Sequence, residues 1–302
     1  MSPAGTRNRR LSPKLLAGVG RLYWEGGMTH QFTRSLFRSR TVVLLVLAMG
    51  AAACGGGKKN VIPNNVQPDR YLMDRANESV MKKDWTKARE YFRQIVDNYP
   101  QSPLRPDAKL GIGDTFLNEG GTENLVLGAN EFREFLTFYP THMRADYAQY
   151  HLGLCHYKQM RAPQRDQTET KEAVKEFQNF VTRFPNSPLL PEVRQKFRET
   201  RDRVSDASFL VGKHYFTIRW YVGATSRFKE VLEEDPEYSH RDDIYFYMAE
   251  ALIRADNDKK RGAAQAIPYF DRLLKEFPMS EHAEDARKRL DELKAEQQAQ
   301  AQ

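Results

Sequence analysis

The sequence predicts an all-α protein of five helix-turn-helix repeats, stacked in an α-superhelix and preceded by a cleaved leader. Five segments share one pattern: each starts with Ala or Gly, has Phe four places later and ends in Pro twelve places after the start. The segments begin at Ala88, Gly128, Ala173, Ala224 and Ala266. Apolar residues also stand seven and eight places after each start, which makes one helix face apolar. Because Pro cannot continue a helix, the next helix must begin beyond it.

A partner helix is predicted upstream of each segment, where a small residue lets two helices approach closely. These small residues are Ala76, Gly113, Gly153, Gly212 and Ala249. With the Ala-Phe-Pro pattern they resemble the tetratricopeptide repeat, in which the Phe fills the groove between paired helices. The closing prolines lie 40 to 51 residues apart, whereas a regular array has a period of about 34. The connections between helices therefore differ in length.

Residues 1–53 are predicted to be a signal peptide region. They carry eight basic residues and one acid, and residues 41–53 contain no charge. A helix of this length rises about 20 Å, which is too short for a hydrocarbon core of roughly 30 Å. A short apolar run between arginines and small residues is typical of a secretory signal. We predict that translation starts at Met28, which gives a leader over residues 28–53.

Cys54 follows three alanines and is the predicted lipid anchor. The run that ends at this cysteine resembles the bacterial lipobox, although Ala51 stands where that motif usually has Leu. Residues 54–68 would then form a lipidated flexible tether, because three glycines and several polar residues follow the cysteine. Gly55 replaces the Asp that usually retains lipoproteins in the inner membrane, so the predicted location is the outer membrane, facing the periplasm. The alternative is an ordinary signal peptide with an incidental Cys54.

The rest of the chain is predicted to divide at the middle. Residues 69–187 hold repeats 1–3, and residues 188–294 hold a long linking helix over 188–216, repeats 4–5 and a charged closing helix. Residues 295–302 are a polar tail. Three serines stand two places after a closing Pro and are predicted N-caps of the next helix, namely Ser102, Ser187 and Ser280.

Charge and motifs exclude several classes of function. The net charge of +7 comes entirely from residues 1–53, since residues 54–302 hold 39 basic and 39 acidic residues. Nucleic acid is therefore not an expected partner. Two cysteines cannot form a four-cysteine zinc site, and no G-x-S-x-G or H-E-x-x-H motif occurs. We predict no enzyme, no catalytic or metal-binding residue and no cofactor other than the covalent lipid at Cys54.

From residue 54 to about 290 the chain resembles the BamD family of lipoproteins, which belong to the outer-membrane β-barrel assembly machine. The resemblance rests on the lipobox-like cysteine, the five uneven repeats and several motifs. The motifs are AREYFRQIVDNYP (88–100), FYPTHMRADYAQYHLG (138–153), DQTETKEA (166–173) and FPNSP (184–188). It implies a protein that helps insert β-barrels into the outer membrane. It also implies that the first repeats face unfolded barrel substrates, while the last repeats bind the barrel subunit BamA beside other lipoproteins of the machine.

The same resemblance suggests a partner-binding site in repeat 4. Tyr215, Gly223 and Arg227 match a segment of the family that ends in Arg, so these three are the predicted partner-binding residues. In the alternative interpretation, Arg227 is a surface arginine that pairs with Glu230 or Glu234. Two other functions remain open: another repeat lipoprotein scaffold, such as a secretin pilotin, or a soluble periplasmic repeat protein that coordinates cell-wall synthesis.

Overall fold

The computed structural model describes residues 67–256 and 259–301 of the protein. These residues form α-helices joined by turns, with no β-strand in either range. The helices are α1 (Pro68–Met81), α2 (Trp85–Asn98), α3 (Arg105–Glu119), α4 (Thr122–Phe138), α5 (Ala145–Tyr157), α6 (Thr168–Arg183), α7 (Leu190–Thr217), α8 (Tyr221–Glu234), α9 (Arg241–Ala255), α10 (Lys259–Glu276) and α11 (Ala283–Ala301).

Consecutive helices pair into five repeats, α1–α2, α3–α4, α5–α6, α7–α8 and α9–α10, with α11 packed on α10. The first helices of neighbouring repeats also touch, α3 with α5 and α7 with α9. Each repeat therefore contacts mainly its neighbours, as in other stacked-repeat proteins. The all-α, tetratricopeptide-like superhelix expected from the sequence is confirmed. Residues 295–301 of the predicted polar tail continue α11 as helix.

The recurring phenylalanine is the centre of every repeat. These side chains are at most 3% exposed: Phe92, Phe132, Phe177, Phe228 and Phe270. Glycine lets the facing helix approach, since a Cβ at Gly212 would lie 2.5 Å from Cε1 of Phe228. A Cβ at Gly153 would lie 2.6 Å from Phe177 in the same way. The predicted pairing of small residue with Phe is thus confirmed in these repeats.

The long helical pattern of residues 188–216 corresponds to one helix, α7. Its first half packs on α6, where Val193 is buried beside Phe177 and Phe180. Its second half packs on α8, where Phe209 belongs to the same cluster as Phe228. A single rigid helix therefore closes the first three repeats and opens the fourth.

The predicted serine N-caps are wrong in detail. The N-cap positions of α3 and α7 are Leu104 and Leu189, and neither has a side-chain capping bond. The serine lies two residues before the N-cap position, where Ser102 Oγ accepts a hydrogen bond from the Leu104 N–H at 3.1 Å. Ser187 and Ser280 bond in the same way to the N–H two residues on. The chain makes this extra turn after Pro before the helix begins, so the side chain orders the turn instead.

A polar bond joins each first helix to the turn that opens the next repeat. In every case the carboxylate of an aspartate on the first helix accepts a hydrogen bond from a side chain of that turn. The pairs are Asp69 with Ser102 (2.6 Å), Asp107 with Arg144 (2.9 Å), Asp146 with Ser187 (2.6 Å), Asp202 with Ser239 (2.7 Å) and Asp243 with His282 (2.8 Å). Because directional bonds fix orientation better than apolar contacts, these junction bonds set how one repeat sits on the next.

No helix within residues 67–256 and 259–301 combines the length and the apolar character that crossing a membrane requires.

Candidate protein-binding surfaces

A cleft of about 410 Å³ opens where α1 and α2 of repeat 1 meet α3, the first helix of repeat 2. Its apolar lining comes from Met73, Val80, Trp85, Phe92 and Leu104. Its polar lining comes from Asn77, Asp107, Asp114, Asn118 and Arg144. The cleft thus offers an apolar floor with hydrogen-bonding groups at its edge, which is the composition of a ligand site.

The charged edge of the cleft is held in place by its neighbours. The Tyr147 hydroxyl donates a 2.9 Å hydrogen bond to Asp114 Oδ1, and Arg144 donates a 2.9 Å bond to Asp107 Oδ1. The Arg144 guanidinium also lies 4.5 Å from the centre of the Tyr147 ring. Burial raises the pKa of Asp114 to about 6, although the bond from Tyr147 and the charge of Arg144 act in the opposite direction. The edge is therefore a preformed network.

Two asparagines give the cleft a means of binding peptide backbone. Asn77 and Asn118 are exposed on α1 and α3, and neither amide has a hydrogen-bond partner among the described residues. A primary amide donates and accepts at once, so it matches the N–H and C=O of an extended peptide. The sequence analysis missed this cleft. A signal existed, because Asn77 and Asp114 each directly follow the small residue of a first helix, Ala76 and Gly113.

The turn between α7 and α8 brings together two of the three predicted partner-binding residues. The ring centroids of Tyr215 and Trp220 are 4.6 Å apart. A Cβ added to Gly223 would lie 2.7 Å from Cδ2 of Trp220, so the indole rests directly on the backbone of α8. Tyr215 and Gly223 therefore meet through Trp220, which the sequence analysis missed.

Arg227, the third predicted residue, lies one helical turn beyond Gly223 on the same face of α8. Its Nη1 is 2.7 Å from Glu230 Oε2, and the two side chains are 42% and 41% exposed. Among the described residues, Glu230 is the acidic residue that forms an ion pair with Arg227. The geometry is compatible with the surface pairing considered above, and it also leaves the guanidinium accessible to a partner.

Trp220 is the centre of an exposed apolar surface. Val211, Ile218, Trp220 and Val222 are 40%, 55%, 55% and 64% exposed, and we call these four side chains the Trp220 patch. The signal in the sequence is the mostly apolar run from Ile218 to Val222 at the junction of α7 and α8, where solvent-facing positions are usually polar.

A family model described as YfiO, outer membrane lipoprotein, matches residues 66–254. The chain belongs to this family. The match contains the cleft, the α7–α8 turn and Arg227, so both surfaces lie inside the family domain. It ends within α9, one residue before the end of that helix.

Curated relatives of this family are outer membrane protein assembly factors BamD. The protein of Caulobacter vibrioides is 25% identical over 227 residues, covering 74% of this chain and 73% of that one. The protein of Rickettsia prowazekii is 23% identical and covers 70% of this chain and 84% of its own. Among solved structures, the TPR2AB domain of yeast Sti1 in its pHSP90 complex is 14% identical over 77% of this chain and 85% of that one, with a TM-score of 0.42. The resemblance to BamD is confirmed.

Reactive groups in this family member are packed as structural residues. Cys155 is fully buried, and burial raises the pKa of its thiol to about 12. Among the described residues, Asp243, Glu281 and His282 lie close enough together to hold a cation. However, Asp243 and His282 form the junction bond of repeat 5, and Glu281 is 82% exposed. Cys155 thus belongs to the core of repeats 2 and 3, and Asp243 and His282 join α9 to the turn before α11.

The predicted lipid anchor Cys54, the signal peptide over residues 1–53 and nearly all of the tether lie outside the described residues. They stay predictions from the sequence.

Proposed function

We propose that this protein is a non-enzymatic component of the machinery that folds and inserts β-barrel proteins into the outer membrane. The observation that carries the proposal is the family match over residues 66–254, together with relatives named outer membrane protein assembly factor. A stack of helical repeats suits this work, because it presents extended surfaces for other proteins without a reactive centre.

The cleft of repeats 1 and 2 is the proposed site for unfolded barrel substrates. An unfolded barrel segment is extended and alternates apolar with polar side chains. Asn77 and Asn118 can bind its backbone, while Phe92 and Trp85 on the floor accept an apolar side chain. Backbone binding of this kind tolerates many sequences, which a factor for many barrels requires.

The surface of repeat 4 is the proposed site for a BamA-like barrel subunit, beside other lipoproteins of the machine. Arg227, Tyr215 and Gly223 form the proposed partner-binding site, in which Arg227 contacts the partner and Tyr215 and Gly223 lie beneath Trp220. The Arg227 guanidinium is a planar donor that can bind a partner carboxylate through two parallel hydrogen bonds. Its pair with Glu230 is a half-exposed surface contact, so exchanging Glu230 for a partner carboxylate costs little.

A lipid at Cys54 is proposed to hold the chain on the periplasmic face of the outer membrane. Acyl chains contribute about 0.8 kcal/mol per buried CH₂, so more than one chain gives a durable anchor. Anchoring confines the protein to the membrane where its partners reside, which raises their effective concentration.

Membrane fractionation and affinity capture test this proposal. Cys54→Ser should abolish acylation and release the protein into the soluble periplasmic fraction, whereas Cys155→Ala removes the buried cysteine and should leave the protein in the membrane. Tagged full-length protein from solubilised outer membranes should co-purify with a BamA-like subunit. Co-purification with a secretin would support the pilotin alternative instead. A mature protein without acyl groups would favour the soluble periplasmic alternative.

A further inference from the structure

Exposed apolar side chains are concentrated at one place in the stack. Ten large hydrophobic residues are exposed among the described residues, and the four of the Trp220 patch lie within twelve consecutive positions. Val211 lies in the last turns of α7 and Ile218 directly follows the helix, while the half-buried Tyr215 lies one turn after Val211 on the same helix face. Scattered exposed apolar residues are ordinary, but several of them close together at one turn of the fold indicate an interaction surface.

The Trp220 indole is held in a fixed position although it is exposed. Arg219 has a φ of 65°, which reverses the chain between the two helices. The backbone N–H of Trp220 then donates a 2.9 Å hydrogen bond to the backbone carbonyl of Tyr215, and the indole ring lies on Tyr215 and Gly223. An aromatic side chain that is already ordered loses little conformational entropy on binding, which favours its use as an anchor.

The charged residues next to the Trp220 patch in the sequence are basic. From residue 207 to residue 229 the chain has four lysines and arginines and no acid. Two of them, Arg227 and Lys229, pair with Glu230 and Glu233 further along α8. Arg219 is exposed, and its guanidinium has no ion-pair partner in the part of the chain that the structure describes. A cationic border around an apolar centre complements a surface whose apolar socket is bordered by carboxylates.

We propose that the Trp220 patch is the anchor of the partner surface, and that it inserts into an apolar socket bordered by carboxylates on the barrel subunit. This inference rests on the proposed function and names the chemistry of that partner site. Trp220 fills the socket, Ile218 and Val222 exclude water around it, and Arg219 meets a carboxylate at the edge. Tyr215 and Gly223 act as positioning residues, because they support the indole from beneath.

Affinity measurements with purified full-length protein and the purified barrel subunit of the same organism test the anchor. Trp220→Ala should weaken binding by about 30-fold or more, as expected for a central aromatic anchor. Val222→Asp is a second variant that keeps the indole and puts a charge into the patch, and it should weaken binding similarly. Met279→Ala is the matched control, because Met279 is 94% exposed in another turn. The control should bind as the unchanged protein does, and all three variants should keep its melting temperature within a few degrees.

The outcomes distinguish a failure of the Trp220 proposal from a failure of the proposed function. If the unchanged protein binds the barrel subunit and both patch variants bind equally well, the anchor is overturned while the proposed function stands. If the unchanged protein does not bind at all, the proposed function fails first. Vesicles of phosphatidylglycerol provide a third arm, using Cys54→Ser protein without its lipid. Binding to these vesicles that is lost in Trp220→Ala would overturn the protein socket and assign the patch to the membrane surface.

Discussion

Arg198 of α7 and Asp235 at the end of α8 form a bidentate ion pair. Arg198 Nη1 is 2.9 Å from Asp235 Oδ1, and Nη2 contacts the other carboxylate oxygen. Ser205 Oγ donates a 2.9 Å hydrogen bond to the same carboxylate, and Arg201 Nη2 lies 3.1 Å from Asp235 Oδ1. Asp235 stands where the other repeats place an aromatic before Pro, namely Tyr99, Tyr139, Phe184 and Phe277. The polar residue in repeat 4 is thus an anchor between two helices.

The first prediction concerns this anchor. The Asp235 side chain is 4% exposed, so its loss removes the buried acceptor that Arg198 and Arg201 share. Arg198 then keeps only its pair with Asp202, and Arg201 keeps its bond to the Glu234 carbonyl. Asp235→Ala should lower the free energy of unfolding by about 3–5 kcal/mol. Urea denaturation measures the change. Glu233→Ala is the control, because that side chain is 66% exposed and should change stability by under about 1 kcal/mol. Equal midpoints for the two variants would show that the anchor is not a stabilising element.

Acid should weaken the same anchor. Burial alone would raise the pKa of Asp235, but the bonds from Arg198 and Ser205 outweigh it and hold the pKa below its usual value. A depressed pKa means that the stabilisation is complete above the unfolded value of about 3.9 and is lost as pH falls through the folded value.

The second prediction concerns Asp114 in the cleft, whose pKa is raised by folding, whereas the pKa of Asp235 is lowered. Its pKa of about 6 in the folded protein exceeds the unfolded value of about 3.9, so the folded state binds the proton more readily. Ionisation therefore costs stability above pH 6, and the cost disappears as pH falls towards 4. Asp114→Asn keeps an acceptor for Tyr147 and should stabilise the protein by up to about 3 kcal/mol at pH 7.

Urea unfolding of Asp114→Asn and the unchanged protein at pH 7 and pH 4.5 tests this sign. The difference in unfolding free energy should shrink to about 1 kcal/mol or less at the lower pH. Asp74→Asn is the control, because it shows how much the unfolding free energy changes when one exposed carboxylate is removed from α1. A stabilisation that is the same at both pH values would mean that Asp114 does not titrate between them.

The repeats could be predicted from sequence because their residues are fixed by packing. Phe at the centre, a small residue opposite and Pro at the end each meet a steric requirement that recurs in every repeat. Trp220 and Asn77 meet no such requirement, since both are exposed and their importance depends on a turn or a cleft that forms only after folding. Asp235 departs from the pattern visibly, but its partners Arg198 and Ser205 lie 37 and 30 residues away and carry no local signal.

The third prediction concerns the centre of repeat 2. Phe132 is fully buried, and a Cβ at the facing Gly113 would lie 2.8 Å from its ring. Phe132→Ala should cost about 3–5 kcal/mol, because the two helices cannot fill the cavity that the ring leaves. Thermal denaturation measures the loss. Phe138→Ala on the same helix removes a ring that is 68% exposed and should cost far less. A negligible shift for Phe132→Ala would mean that the helices can close over the cavity.

The last prediction concerns Arg227. Replacing the guanidinium by a carboxylate removes a half-exposed pair with Glu230, which contributes well under 1 kcal/mol, so folding should be nearly unchanged. If Arg227 binds a carboxylate of the barrel subunit, Arg227→Glu replaces that attraction by repulsion. Binding should then weaken by about 2 kcal/mol or more, which is about 30-fold. Calorimetry or surface binding with the purified barrel subunit measures the change.

Lys175→Glu is the matched control for Arg227→Glu, because it makes the same change of charge and also removes a pair with a glutamate three residues away. Lys175 Nζ lies 3.2 Å from Glu172 Oε2, and its side chain is 63% exposed on repeat 3. A loss confined to Arg227→Glu identifies a local contact, whereas equal losses in both variants indicate only a general electrostatic attraction. Raising the salt concentration separates these cases further, since a general attraction is screened while a desolvated pair is screened much less. Unaltered binding of folded Arg227→Glu would leave Arg227 as a surface partner of Glu230.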